Sequence, residues 1–305
     1  MSAILLVPAM LLDAALGEPK AVWSRAPHPA VLMGRAVGFA DKRFNTGLHR
    51  KGKGALVMAG LAVLAMGIGW LIHRVPDFGV LEVIVAAILL AQKSLVQHVQ
   101  AVAAALRLSL GDGRRSVAMI VGRDTALMDK AAVSRAAIES AAENFSDGVI
   151  APAFWFLIGG LPGLLVYKIT NTADSMIGHR TPRHEQFGWA AARFDDLLNL
   201  VPARLTALII AVAHGRIDAK TAVLRDAVLH RSPNAGWPEA AMAVVLDLSL
   251  SGPRSYNGKV TAYPLVYPEG RRDAGADDID ASVAVLWRSW AAFLVIVGII
   301  GLLGG

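Results

Sequence analysis

The chain has 305 residues, 55% of them hydrophobic and 18% charged, with mean hydropathy +0.49, which is too apolar for an ordinary soluble domain and reads as an integral membrane protein. It contains no cysteine, which excludes disulfides, thiolate metal sites and cysteine nucleophiles and leaves only oxygen or histidine ligands for a metal. The net charge of +6 does not point to nucleic acid, because the basic residues lie in loops between apolar runs rather than on one basic and aromatic face; a positive-inside bias accounts for them.

Met1 to Leu16 is apolar but has neither a basic n-region nor a small-residue cleavage site ahead of a polar mature sequence, so it reads as a short anchoring or re-entrant helix. LLDAALGEP, Leu11 to Pro19, ends that helix at Gly17 and Pro19. Residues 18–54 hold eight Lys or Arg against two acids, which makes this segment a cytoplasmic loop. Within it HPAVLMGR, His28 to Arg35, follows a Pro-rich turn, where a partly buried imidazole is the simplest role for His28.

Ala55 to Ile72 is uncharged, and Phe78 to Ala91 carries only Glu82. The turn HRVPDF joins them into a helical hairpin, residues 55–91, that serves as scaffold. From Gln92 to Leu110 apolar residues recur at Leu95, Val99, Val102 and Leu106, the period of an amphipathic helix. GDGRRS breaks that pattern, and VGRDT leads into a second helix from about Thr125, with Arg123 and Asp124 placed to cap it; contact with phosphate is the alternative.

Glu139 to Arg204 is the centre of a catalytic core spanning 92–213. It sets acids, amides and a lysine beside apolar runs, where each charged group costs about 2.5 to 3.5 kcal/mol at a helix centre and usually persists because it has a function. Gly148 to Val166 could just reach across a bilayer, but Gly159-Gly160-Leu161-Pro162-Gly163 favours a turn. A reversal there makes Glu139 to Ile158 antiparallel to Leu164 to Ile177. Asp147 lies fourteen residues before Leu161 and Asp174 thirteen after it, so the two carboxylates fall at nearly the same depth. Glu143 and Asp147 are spaced i, i+4, and Asn171, Asp174 and Ser175 are spaced i, i+3, i+4, so each arm presents oxygen ligands on one face. Such a set suits a hard cation such as Mg2+ carrying nucleotide phosphates; the alternative is that these residues cap helices and hydrogen-bond across the bundle.

Leu197 to Ala213 is apolar apart from Arg204, a guanidinium that needs an anionic partner, and Arg193 with Asp196 reads as a surface ion pair. Residues 214–282 form a polar segment. Its turn SPNAGWPEA holds Ser232, Asn234, Gly236 and Glu239, with Pro238 suited to the first turn of a helix and Glu239 a favourable acid there. A charged connector, Lys259 to Ser282, leads to a C-terminal span over 283–303. The chain has no internal repeat, P-loop or GxGxxG signature.

Taken together, LLDAALGEP, HPAVLMGR, VGRDT, AIESAAENFSDGVIAPAFW, GGLPGLLVYKITNTADSMIGH, FGWAAARFDDLLNLVPARLTAL and RSPNAGWPEAAMA, in this order, resemble the CobD/CbiB family of membrane-bound adenosylcobinamide-phosphate synthases. The resemblance covers essentially the whole chain. It implies an all-α, polytopic protein of the cell (inner) membrane with its active site facing the cytoplasm. The implied reaction is ATP-dependent amide formation between a propionate of adenosylcobyric acid and (R)-1-aminopropan-2-ol O-phosphate, or aminopropanol itself. Implied partners are these substrates, the lipid bilayer and other late cobalamin-pathway membrane enzymes, with no nucleic acid.

Under that chemistry ATP must turn a carboxylate oxygen into a leaving group, with Mg2+ offsetting phosphate charge. Glu143, Asp147, Asn171 and Asp174 are then the candidates for the metal and nucleotide, and Lys168 for transferred phosphoryl charge. Arg204, Arg225 and His230 are candidates for the amine's phosphate, and Asp195 or Glu239 for the general base. His28, Arg35, Asn144 and Asn234 complete the expected substrate-binding set. A transporter or channel is the competing class, since polar half-helices meeting at a Gly/Pro break also build transport sites. If Gly148 to Val166 crossed fully, Lys168, Asn171 and Asp174 would lie on the side without ATP, so the expectation is a re-entrant hairpin.

Overall fold

The computed structural model of the protein describes residues 2–256 and 258–304. It is 72% helical with little sheet. Among the described residues five helical segments are long and apolar enough to cross a membrane: Arg50–His73, Val80–Leu108, Lys130–Ile177, Trp189–Ala213 and Ala276–Leu303. The chain is an all-α polytopic membrane protein that divides into two compact units. One comprises Met1–Ala91, Ala151–Leu200 and Ile296–Gly305, and the other Gln92–Ile150 and Val201–Val295.

In the first unit α1 (Ser2–Leu16), α3 (Pro29–Phe44), α4 (Arg50–His73) and α5 (Val80–Leu89) surround α9 (Ala151–Ile177), with a four-residue helix α2 (Lys20–Trp23) ahead of α3. The expected 55–91 hairpin is α4 and α5. Leu56, Val63 and Leu71 stand exposed on α4, as a lipid-facing surface requires, while its glycines supply the close approach that membrane helix packing uses. A Cβ on Gly54 would lie 1.9 Å from the carbonyl of Phe187, and one on Gly69 would lie 2.6 Å from Cα of Pro162. Glu82, the acid in α5, is buried and meets Nδ1 of His73 at 2.9 Å, which removes the cost of leaving it unpaired.

The chain does reverse inside α9. Gly160 takes φ 58 and ψ −155, a region essentially confined to glycine. A Cβ on Gly163 would sit 2.4 Å from the carbonyl oxygen of Trp155, although eight residues of continuous helix would hold the two about 12 Å apart. Trp155 and Tyr167 lie six residues either side of Leu161 and reach consecutive residues of α10 (Trp189–Ala213): Trp155 Nε1 donates to the carbonyl of Leu198 at 3.0 Å, and the Tyr167 hydroxyl donates to Asn199 Oδ1 at 3.1 Å. Residues equally distant from the turn thus face one way, as the hairpin reading requires. Gly160→Ala is expected to cost about 1 to 3 kcal/mol through backbone strain alone. The check is the thermal midpoint in detergent against Gly159→Ala, whose Cβ meets nothing; equal midpoints would remove the strained turn.

In the second unit the amphipathic stretch forms α6 (Gln92–Leu108), which buries Val99, Val102 and Leu106. GDGRRS does not end the helical run. Ser109 breaks it instead, and its Oγ accepts from the amide of Asp112 to start α7 (Leu110–Val117). The next helix, α8 (Lys130–Phe145), begins later than Thr125. Asp129 caps it through Ala132 N at 2.7 Å, so Arg123 and Asp124 do not cap it. Asp124 Oδ2 instead accepts from Ser255 Oγ and Gly258 N, each at 2.8 Å. From Ala136 to Ala142 every residue of α8 is buried, because alanine and serine let α6, α7 and α12 (Gly236–Leu246) close around it. A π-helical turn over Ser146–Ile150 follows.

The polar segment adds α11 (Lys220–Ala227) and four short strands that alternation did not signal. β1 (Leu250–Ser251) pairs with β4 (Leu265–Val266), and β2 (Arg254–Tyr256) with β3 (Lys259–Thr261), both antiparallel. Pro238 does fall in the first turn of α12. The C-terminal helix α13 starts at Ala276, seven residues before the expected span at 283, because Asp278 Oδ2 accepts from Gly275 N at its first turn.

Candidate functional site

A buried polar centre forms in the second unit around Glu139 of α8. Its Oε2 accepts from Arg123 Nη2 at 2.5 Å and from Arg254 Nη2 at 3.1 Å, and its Oε1 accepts from Ser251 N at 2.7 Å. Arg123 comes from the loop before α8, Arg254 from β2 and Ser251 from β1, whose positive φ of 64 turns its amide to the carboxylate. One carboxylate therefore fixes two guanidinium groups from separate elements. Removing one partner of such a buried group is strongly destabilising, about 3 to 5 kcal/mol.

Glu239 of α12 completes the centre and is not merely a favourable acid in a first helical turn. Its Oε1 lies 3.7 Å from His230 Nε2 and its Oε2 lies 3.8 Å from Arg254 Nη2, both beyond hydrogen-bond reach. Burial, reinforced by the charges of Glu139 and Glu143, pushes the Glu239 carboxyl well above the ordinary glutamate range, and Arg254 only partly offsets this. Burial, aided by Arg254, lowers His230 to about 4, so its imidazole is neutral near pH 7. His230 Nδ1 accepts from Ser232 N at 3.1 Å, which leaves the ring proton on Nε2, facing Glu239. Burial works against the charge of Arg254, but Glu139 and then Glu239 outweigh it and hold the guanidinium above the ordinary arginine value. A small cavity beside the centre is lined by Leu229, His230, Ser251, Tyr263, Pro264 and Val266.

The first unit has its own polar centre, where α9 meets α10. Asp195 is buried and accepts from Asn171 Nδ2 at 3.3 Å and Asn199 Nδ2 at 3.0 Å. Tyr167 fixes Asn199 in turn, so the Asp195 carboxylate is oriented from both sides. Asp174 lies one turn beyond Asn171, and a Cβ on Gly178 would come 1.9 Å from Asp174 Oδ1; only glycine leaves room for that carboxylate. Lys168 stands half-buried one turn before Asn171. Arg193 and Asp196 form the expected surface pair at 3.4 Å.

Of the candidates named from sequence, Glu239 and His230 come together in the second unit, and Asn171, Asp174 and Asp195 cluster in the first. Glu143 is exposed on α8 and Asp147 half-buried in the π-helical turn, both in the second unit. Among the described residues no group of three or more His, Asp or Glu side chains is arranged to hold a metal ion. Arg204 stacks on Trp237, its guanidinium carbon 4.5 Å from the ring centroid. Arg225 spends its fork on Asp226 and Glu269, at 2.6 to 3.0 Å, and tethers the loop after β4 rather than offering free donors. His28 caps α3 by accepting from Ala30 N and meets Trp23 edge-on. Arg35 is exposed on α3, Asn144 donates to Ser140, and the backbone amide of buried Asn234 donates to Ser232 Oγ. Glu139 and Arg254 are not foreseen as site members, and Arg123 reads first as a helix cap, with phosphate contact the alternative. Glu139 and Arg123 each belong to a quoted motif, whereas Arg254 carries no local signal.

Comparison with known proteins matches residues 6–286 to the CobD/Cbib protein family. A cobalamin biosynthesis protein CobD from Sinorhizobium is 49% identical over 93% of this chain and 93% of its own length. One from Rhizobium meliloti is 50% identical over 94% of this chain and 93% of its own, and one from Rhodobacter capsulatus is 42% identical over 99% and 98%. No solved structure matches.

Proposed function

The chain belongs to the CobD/Cbib family, and on that premise we propose that it serves cobalamin biosynthesis as an ATP-dependent ligase. It joins a propionate of adenosylcobyric acid to (R)-1-aminopropan-2-ol O-phosphate through an amide. The observation that carries this reading is the pairing, within one buried centre, of an acid of raised pKa with neutral His230 and the clamped Arg254. A proton acceptor beside a fixed cation is what ammonium deprotonation next to a phosphate demands.

A corrinoid carboxylate oxygen attacks ATP, either at the γ-phosphorus with release of ADP to give an acyl phosphate, or at the α-phosphorus with release of pyrophosphate to give an acyl adenylate. The amine then attacks the acyl carbon; the C–N bond forms, the C–O bond to phosphorus breaks, and the phosphate or AMP departs. Glu239 takes the ammonium proton, with Asp195 the other candidate base. Within the first unit Lys168 is the candidate for transferred phosphoryl charge, and within the second Arg204, stacked on Trp237, is a candidate for a phosphate. Mg2+ supplies charge neutralisation of the nucleotide phosphates, and Asn171 and Asp174 would hold it. The donor chemistry fits, since Mg2+ commonly takes one or two carboxylates plus phosphates and waters rather than an all-protein cage. The test is nucleotide release: ATP consumption should require both the corrinoid acid and the amine, with ADP marking an acyl phosphate and AMP an adenylate. Consumption indifferent to both would contradict the ligase reading.

The ligase reading also requires the site to face ATP. Because the chain lacks cysteine, single cysteines at Ser175, Thr181 and Ser232 can be labelled without background by a membrane-impermeant thiol reagent. All three are expected to react in inverted vesicles of the inner membrane and not in right-side-out ones. Labelling of T181C from the outer face would rule out re-entry of the α9 hairpin.

A further inference from the structure

Resting on that reading, the second unit assigns the amine substrate a recognition residue. Arg254 and Glu239 are almost wholly buried, at 9% and 2% side-chain exposure. Arg254 Nη2 is committed to Glu139 and to Ser251 Oγ, but its Nε has no hydrogen-bond partner, and neither has Glu239 Oε2. A buried orphan donor beside a buried orphan acceptor is a costly arrangement that native proteins rarely leave unused. The two side chains stand 3.8 Å apart, too far to satisfy each other. Around them, His230 presents Nε2, Tyr263 lies under Arg254 with its ring centroid at 5.4 Å, and both, with Ser251, line the adjoining cavity. Arg123, paired with Glu139, Arg231, over the Tyr256 ring, and Glu143 also act on this centre.

A phosphorylated vicinal amino alcohol is a compact zwitterion, its ammonium and phosphate separated by two carbons and an oxygen. It is complementary to an acid and a guanidinium held side by side, and it supplies the acceptor that Arg254 lacks and the donor that Glu239 lacks. We propose that Arg254, clamped by Glu139, binds the phosphate of the amine substrate while Glu239 takes its ammonium. Arg254 is then the residue that selects the phosphorylated amine over the free amino alcohol.

The test uses the full-length protein in detergent, with O-phosphoethanolamine and ethanolamine as probes of thermal unfolding, alongside turnover kinetics. O-phosphoethanolamine is expected to raise the unfolding temperature of the wild type where ethanolamine does not, and Arg254→Gln should abolish the rise. In turnover, Arg254→Gln should raise KM for the phosphorylated amine by about 10- to 100-fold more than KM for free aminopropanol, the scale of a lost charge-assisted bidentate contact. Should Arg254→Gln not fold, Arg254→Lys, which keeps the charge but loses the fork, is read by the same two measures. An equal rise in the variant, or an unchanged KM for the phosphorylated amine, overturns the assignment and leaves the ligase reading standing. Stabilisation that depends on Arg254 in a protein that forms no amide keeps the subsite and overturns the ligase reading.

Discussion

Glu239→Gln is expected to lower turnover by about 100- to 10,000-fold, the range for loss of a general base, while the fold becomes no less stable and gains stability above neutral pH. The sign follows from the raised pKa of the buried carboxyl. An unfolded glutamate loses its proton near pH 4.5, whereas the native one holds it to higher pH. The native state therefore binds more protons through that window, and the stability of the wild type falls as pH rises from the unfolded value toward the native one. Glutamine, being neutral, removes that dependence. Thermal midpoints of both proteins from pH 5 to pH 9 should diverge progressively in favour of the variant. A variant that loses activity together with its midpoint would assign Glu239 to the core alone.

Asp174→Asn is expected to reduce product formation by about 100-fold or more, the scale of several kcal/mol of charge stabilisation at a metal-bound phosphate, with membrane insertion and expression near wild type. For Asp174 the measurement is initial rate against Mg2+ concentration: a higher Mg2+ requirement identifies a ligand, and a wild-type rate removes the residue from the site. The substitution is nearly isosteric, and Gly178 leaves the space for either side chain, so packing alone should not produce the loss.

The membrane helices and the α9 hairpin were legible because composition and a single Gly/Pro cluster carry them. A long uncharged run is at odds with a water-facing surface, and Gly160 occupies a backbone region that other residues avoid. Asp195 and Glu239 enter only as candidate bases under the family resemblance, since by position alone Glu239 reads as a favourable acid in a first helical turn. The clamp on Glu139 was not legible, because its partners lie 16 and 115 residues away in sequence and no local period reports such a distance. The strands, two or three residues each, are too short for alternation to register. Arg123 was misplaced as a cap because Asp129, a better capping residue, starts the helix six residues later. Arg225 and Arg254 are equally basic in the sequence, and only the fold distinguishes a guanidinium spent on Asp226 and Glu269 from one with an unused buried donor.

As the proposed ligase, this membrane protein makes an amide bond. Full-length protein in detergent, incubated with adenosylcobyric acid, ATP, Mg2+ and (R)-1-aminopropan-2-ol O-phosphate, is followed by mass spectrometry of the corrinoid. A product heavier than the acid by the amine less one water, formed only when all four are present, is the expected result. Folded protein that leaves the corrinoid mass unchanged, yet carries the corrinoid across vesicle membranes, would contradict the ligase and establish a transporter in its place.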